Sequence, residues 1–120
     1  MCYKKLFPSN RRPTIAVTVL GDMKGLGVIT QEAHKEVGSY AALNKVDYLY
    51  TTGGELAMMI SQAALEQGMS PDNVIHFEQK EKLFQALTNL SPGTTILVKG
   101  ARKAKMEDVV NFLTARYGDA

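Results

Sequence analysis

Short β-branched runs alternate with longer helix-periodic segments four times along this chain, and no other feature constrains its fold as strongly. Residues 14–20 read Thr-Ile-Ala-Val-Thr-Val-Leu and close on Gly21, the pattern of a strand covered on both faces. From Thr30 the apolar positions Ala33, Val37 and Tyr40 or Ala41 recur at three- and four-residue steps, which predicts a helix. Residues 47–51 form a second strand-like run closed by Gly53-Gly54, followed by Leu56, Met59, Ile60, Ala63 and Ala64 at helical spacing. Gly68 stands where a left-handed cap is needed, with Pro71 just beyond. Residues 74–77 lead to Leu83, Phe84 and Leu87 and then a Ser91-Pro92-Gly93 turn; residues 95–98 lead through Lys99-Gly100-Ala101-Arg102 to Met106, Val109, Val110 and Leu113.

Parallel strands need a crossover connection, and a helix is the usual one. The order βαβαβαβα therefore predicts an α/β fold, a Rossmann-like three-layer sandwich with a mostly parallel sheet flanked by helices. At 120 residues the chain has the size of one domain. Residues 1–13 carry Lys4, Lys5, Arg11, Arg12, Pro8 and Pro13 without an apolar period. They read as an arm or severed linker, leaving 14–120 as the domain; an extra antiparallel edge strand is compatible with the pattern. Met58 and Met59 lie on or beside the apolar stripe of the second helix and read as core filling.

Several function classes fall away. A net charge of +2 is too small to draw nucleic acid by bulk electrostatics. The apolar runs fall short of the roughly 20 residues of a membrane span, and the amino terminus lacks the features of a signal peptide. A cytoplasmic protein with neither nucleic acid nor membrane insertion is expected. Cys2 is the only cysteine, so an internal disulfide and a cysteine-rich metal site are excluded. His34 and His76 have no second histidine or cysteine at ligand spacing, so no metal site is expected. Both read as structural, His34 being the better functional candidate because helix starts face the ligand crevice. The phosphate loop G-x-x-x-x-G-K-[ST], the nucleophile elbow and the dinucleotide fingerprint are all missing from the sequence.

In an open parallel sheet, ligands bind outside the carboxyl ends of the strands, where helix amino termini point N–H groups. Four loops qualify: Gly21-Asp22-Met23-Lys24, Thr51-Thr52-Gly53-Gly54, Glu78-Gln79 and Lys99-Gly100-Ala101-Arg102. In the last, Lys99 ends a strand, Gly100 permits a tight turn and Arg102 stands where a helix begins, a setting suited to a carboxylate or phosphate. The alternative is a solvated basic surface formed by Lys99, Arg102, Lys103 and Lys105. Asp22 is placed either to hold a metal-bound phosphate or an amine, or to cap its own turn.

Four stretches on these loops, in order and in register, resemble the carboxy-terminal domain of the Mur ligases that add D-alanyl-D-alanine. They are Gly21-Asp22-Met23 with Leu26-Gly27; Ala33-His34-Lys35-Glu36-Val37-Gly38; Gly54-Glu55-Leu56-Ala57; and Leu97-Val98-Lys99-Gly100-Ala101-Arg102 with Met106-Glu107. The resemblance covers about residues 14–113. It implies a three-domain, ATP-dependent amide ligase of peptidoglycan synthesis acting on UDP-N-acetylmuramoyl-tripeptide and D-alanyl-D-alanine. Its amino-terminal domain would bind the UDP-sugar and its central domain ATP and Mg2+, so this chain alone would bind no cofactor and would not catalyse. It also implies that Lys99, Gly100 and Arg102, with Asp22, Lys24 and His34, line the substrate side. Gly25 stands where the family usually has glutamate, Ala101 where it usually has serine, the Thr52–Glu55 loop departs from the usual form, and the Asp-x-Tyr-Asn-Ala-Asn-Pro segment is absent. The competing reading is a stand-alone, non-catalytic α/β binding or regulatory module; a phosphoacceptor receiver needs an aspartate where Phe77 leads into Glu78-Gln79.

Overall fold

The computed structural model describes residues 2–5, 15–22, 30–44, 46–90, 94–100 and 105–118. Five strands, β1 (Cys2–Lys5), β2 (Ala16–Gly21), β3 (Tyr48–Thr52), β4 (Val74–Phe77) and β5 (Thr95–Lys99), alternate after β1 with four helices, α1 (Thr30–Leu43), α2 (Glu55–Glu66), α3 (Lys80–Ala86) and α4 (Glu107–Tyr117). The sheet order is β1-β5-β2-β3-β4. The four strands β5-β2-β3-β4 run parallel, as helical crossovers require, and the expected α/β sandwich is the one observed.

The difference lies at the amino end. Cys2–Lys5, part of the expected arm, pairs antiparallel with β5 from Cys2↔Val98 to Lys5↔Thr95. This is the extra antiparallel edge strand that the pattern allowed; its place within the arm was not legible, because four residues are too few to show a period and the pairing uses backbone groups that every sequence carries.

The central strand β2 is buried along almost its whole length, and its side chains divide between two cores by strand alternation. Val17 and Val19 point to one face, where Ile96 and Val98 of β5 meet Leu83, Leu87, Val109 and Leu113 of the α3–α4 side. Leu20 points to the other, with Leu49, Val74, Ala41 of α1 and Ile60 and Ala64 of α2. Each such fully buried aliphatic side chain contributes about 1.5–3 kcal/mol relative to exposure. Helices α1 and α2 touch through Gly38, whose missing side chain is filled by the Ile60 backbone and the Ala63 methyl.

The stripe buried on α1 differs from the apolar letters. His34, fully buried, and Ala41 face inward with Gly38, whereas Tyr40 is 70% exposed. The inward face is chosen by the close α1–α2 approach, which demands a glycine and leaves no room for a tyrosine ring. Met58 and Met59 are half-buried at the border of the α2 stripe. No helix among the described residues is long and apolar enough to cross a membrane.

Candidate functional site

The carboxyl ends of β2, β3 and β5 come together at one rim. Gly21 pairs in register with Thr52 and Leu20 with Lys99. Gly100 lies so close to Gly21 that a Cβ on it would stand 3.3 Å from the Gly21 Cα and 2.5 Å from the Met106 Cγ. Gly53 adopts φ +127°, a left-handed conformation open chiefly to glycine, and a Cβ there would meet the Asp22 carboxylate at 2.8 Å. Gly21, Gly53 and Gly100 therefore share one edge of the molecule, as the loop pattern leads one to expect.

Asp22 has a role that the sequence did not disclose. Its Oδ2 accepts from the Gly54 N–H at 3.1 Å and its Oδ1 from the Ala57 N–H at 2.8 Å. Gly54 is the residue that caps α2 and has no side chain to do so; Asp22 supplies the missing acceptor from another strand. A carboxylate at this end also complements the helix dipole. Asp22 thus caps α2 from another strand, and Gly53-Gly54 give room to a protein carboxylate. Only the separation of more than 30 residues hid this; the signal available was an aspartate after one strand and a capless Gly-Gly before a helix.

Lys99 ends β5 with its side chain exposed and has no hydrogen-bonded or ionic partner among the described residues. It also lines a groove of about 700 Å3 between α1 and the sheet, together with Leu20, Val37, Tyr40, Ala41 and Leu97. The face of β5 that carries Leu97 and Lys99 is half-covered where the opposite face, Ile96 and Val98, is fully buried. His34 is fully buried within α1 and does not reach the crevice surface. Lys24 and Arg102, with Gly25 and Ala101, lie outside the described residues.

Beneath the rim runs a polar chain. Thr51 Oγ1 lies 2.6 Å from Ser61 Oγ of α2 and 2.8 Å from His76 Nδ1 of β4. His76 Nε2 is buried without a hydrogen-bond partner among the described residues. The chain ties β3, β4 and α2 together, which agrees with a structural role for His76. On the opposite face Tyr50 packs edge-on against Phe77 at 5.5 Å and near Tyr48 at 6.1 Å; burial, and then the neighbouring Tyr48 hydroxyl, raise its pKa above the ordinary 10.0. No group of three or more His, Cys, Asp or Glu among the described residues is arranged to hold a metal ion.

Comparison with known proteins agrees with this geometry. The family model for the Mur ligase, glutamate ligase domain, matches residues 4–102. The chain is 38% identical over 96 residues to the UDP-N-acetylmuramoyl-tripeptide–D-alanyl-D-alanine ligase of Bacillus subtilis, covering 79% of this chain and 21% of that protein. It is 32% identical over 104 residues to the ligase of the same name from Escherichia coli, covering 84% and 21%. The crystal structure of MurF from Acinetobacter baumannii superposes with a TM-score of 0.69 at 24% identity, over 84% of this chain and 22% of that one. The chain thus spans about a fifth of the length of the relatives it matches. A parallel sheet with a glycine rim, matched in sequence over most of its length, places this chain in the Mur ligase family, as the carboxy-terminal domain of that family.

Proposed function

We propose that the chain is the substrate-positioning domain of an ATP-dependent amide ligase that joins D-alanyl-D-alanine to UDP-N-acetylmuramoyl-tripeptide in peptidoglycan synthesis. One observation carries this reading: the Gly21, Gly53-Gly54 and Lys99-Gly100 loops converge on one rim in a chain 38% identical to a ligase of that name.

In this reading the remaining amino-terminal and central domains hold the UDP-sugar and the nucleotide. ATP with Mg2+, bound mainly by the central domain, supplies the phosphoryl group that activates the tripeptide carboxylate. The dipeptide amine then attacks the activated carbonyl carbon, and inorganic phosphate leaves. Lys99, with Arg102 and Lys24, offers cationic donors to the dipeptide carboxylate or to the phosphate oxygens, and Gly100 lets backbone approach them. Asp22 and His34 act from behind, Asp22 by fixing α2 and His34 from within the α1 packing. The domain contributes by orienting the amine and by excluding water from a hydrolysable acyl phosphate.

The test joins this chain to the amino-terminal and central domains of the Bacillus subtilis relative and follows ADP release. Turnover should need both the tripeptide precursor and D-alanyl-D-alanine, and the chain by itself should release no ADP. Arg102→Ala should lower dipeptide-dependent turnover at least about tenfold, the scale of one lost charge-assisted contact. Unchanged kcat and dipeptide KM in that variant would make the loop a plain surface.

A further inference from the structure

We infer that Lys80, which no sequence pattern singles out, is a positioning residue for the Lys99–Gly100 end of the rim, acting through the carbonyl of Lys105. Lys80 is the first residue of α3, just past the end of β4, and its Nζ donates to the Lys105 carbonyl at 2.7 Å. That carbonyl also accepts the Asp108 N–H at 3.0 Å. Lys105 has φ +52°, the only positive φ of a non-glycine residue among the described residues. An L-residue in that region is sterically disfavoured, so something must hold it there. The short charge-assisted bond from Lys80 is the strongest contact made by Lys105 among the described residues.

What it holds matters to the rim. Lys105 is followed by Met106, 95% removed from solvent, whose Cγ occupies the space beside Gly100. Gly100 in turn rests on Gly21. The contacts therefore run from the β4–α3 junction through Lys105 and Met106 to the strand end that presents Lys99. The Lys80–Asp108 ion pair, at 3.4 Å with the two side chains 24% and 52% exposed, is longer and better solvated, and contributes the lesser part. This inference deepens the proposed function and rests on it for the meaning of the rim; the contact itself is tested without any ligase activity.

Amide hydrogen exchange of the 120-residue chain reads the first turn of α4 directly, at Asp108, Val109 and Val110. Lys80→Met should raise exchange at these amides about tenfold, the equivalent of one charge-assisted hydrogen bond, and leave amides of α1 within about twofold. Lys80→Gln, a milder change that serves should Lys80→Met not fold, should move the same amides in the same direction. Adding Lys105→Gly, which removes the left-handed strain, should return protection towards the parent value, and Asp108→Asn should have less than about a third of the effect of Lys80→Met. Unchanged exchange in both Lys80 variants, an Asp108→Asn effect as large as that of Lys80→Met, or no rescue by Lys105→Gly would each overturn the inference. In the active fusion, Lys80→Met should raise the dipeptide KM about fivefold with kcat within about twofold, and Lys105→Gly should reverse it. A fusion without activity would count against the proposed function alone, because the exchange readings stand apart from it.

Discussion

Gly38→Ala sets two physical rules against each other, and the structure decides the sign. In an exposed helix this change is stabilising by about 0.5–1 kcal/mol, because alanine loses less backbone entropy than glycine. In α1, however, a Cβ at Gly38 would stand 2.9 Å from the Ile60 carbonyl carbon and 3.1 Å from the Ala63 methyl, with the Ile60 oxygen nearer still. Ordinary carbon contacts lie at about 3.5–4.0 Å, so the two helices would have to part by on the order of 1 Å. The obstacle is backbone in the middle of α2, anchored on both sides by Ile60 and Ala64, which are themselves fully buried, and it has no rotamer to yield. Overpacking of this kind costs about 1–3 kcal/mol, and separation of the helices also loosens contacts around Ala41 and Leu20. After the propensity gain is set against it, the net expectation is destabilisation by about 1 kcal/mol. For a domain of this size that lowers the thermal midpoint by roughly 3–6 °C. Thermal unfolding by circular dichroism, with the chemical-denaturation midpoint as a check, measures it; Gly68→Ala, at a position where a Cβ meets nothing within 4 Å but φ is +102°, is the control for backbone strain without crowding. A Gly38→Ala chain as stable as the parent would refute the packing argument.

Two further outcomes follow from the same coordinates. Asp22→Ala removes both acceptors at the start of α2 and leaves the N–H of fully buried Ala57 unsatisfied, so it should cost about 2–3 kcal/mol in denaturant unfolding, whereas Asp22→Asn, which keeps one acceptor and loses the charge, should cost about 1 kcal/mol; equal costs for the two would show that the hydrogen bonds are unimportant. The pKa of Tyr50 is raised in the folded chain, so the unfolded chain releases that proton first. Stability should hold below about pH 10 and fall as pH rises through the folded value. Tyr50→Phe should flatten that alkaline fall in a stability-versus-pH series, and a slope identical to that of the parent would refute the assignment.

Legibility in the sequence followed the range of the interaction. The strand β2 was readable because burial on both faces forces a continuous β-branched run. The rim was readable because each of three strands ends on or just before a glycine, Gly21, Gly53 and Gly100, and the topology rule puts carboxyl ends together. On α1 the letters left Tyr40 or Ala41 open, and the structure buries Ala41 and exposes Tyr40; that His34 and Gly38 also face inward was not legible, because those positions are set by the distance to α2 and not by hydropathy. The partners of Asp22 lie 32 and 35 residues away, and Lys80 reaches Lys105 across 25. Contacts of that span leave no period in the text. The place of the edge strand β1 was hidden for a related reason, since its bonds to β5 are made by backbone.

These long-range contacts also explain why the rim is electrostatically one-sided. A helix amino terminus normally attracts an anion, but that of α2 already faces the carboxylate of Asp22. Across the rim, the ammonium of Lys80 is spent on the Lys105 carbonyl and on Asp108. What remains for an incoming carboxylate or phosphate, among the described residues at this edge, is Lys99, exposed at the end of β5, together with the exposed Lys105 ahead of α4. On the proposed reading, an anionic ligand is favoured on the β5–α4 side, where Gly100 would admit backbone approach, over the Gly53-Gly54 loop, where a second negative group would meet the Asp22 carboxylate. The same distribution accounts for a glycine pair on a candidate ligand loop that serves an aspartate of its own chain.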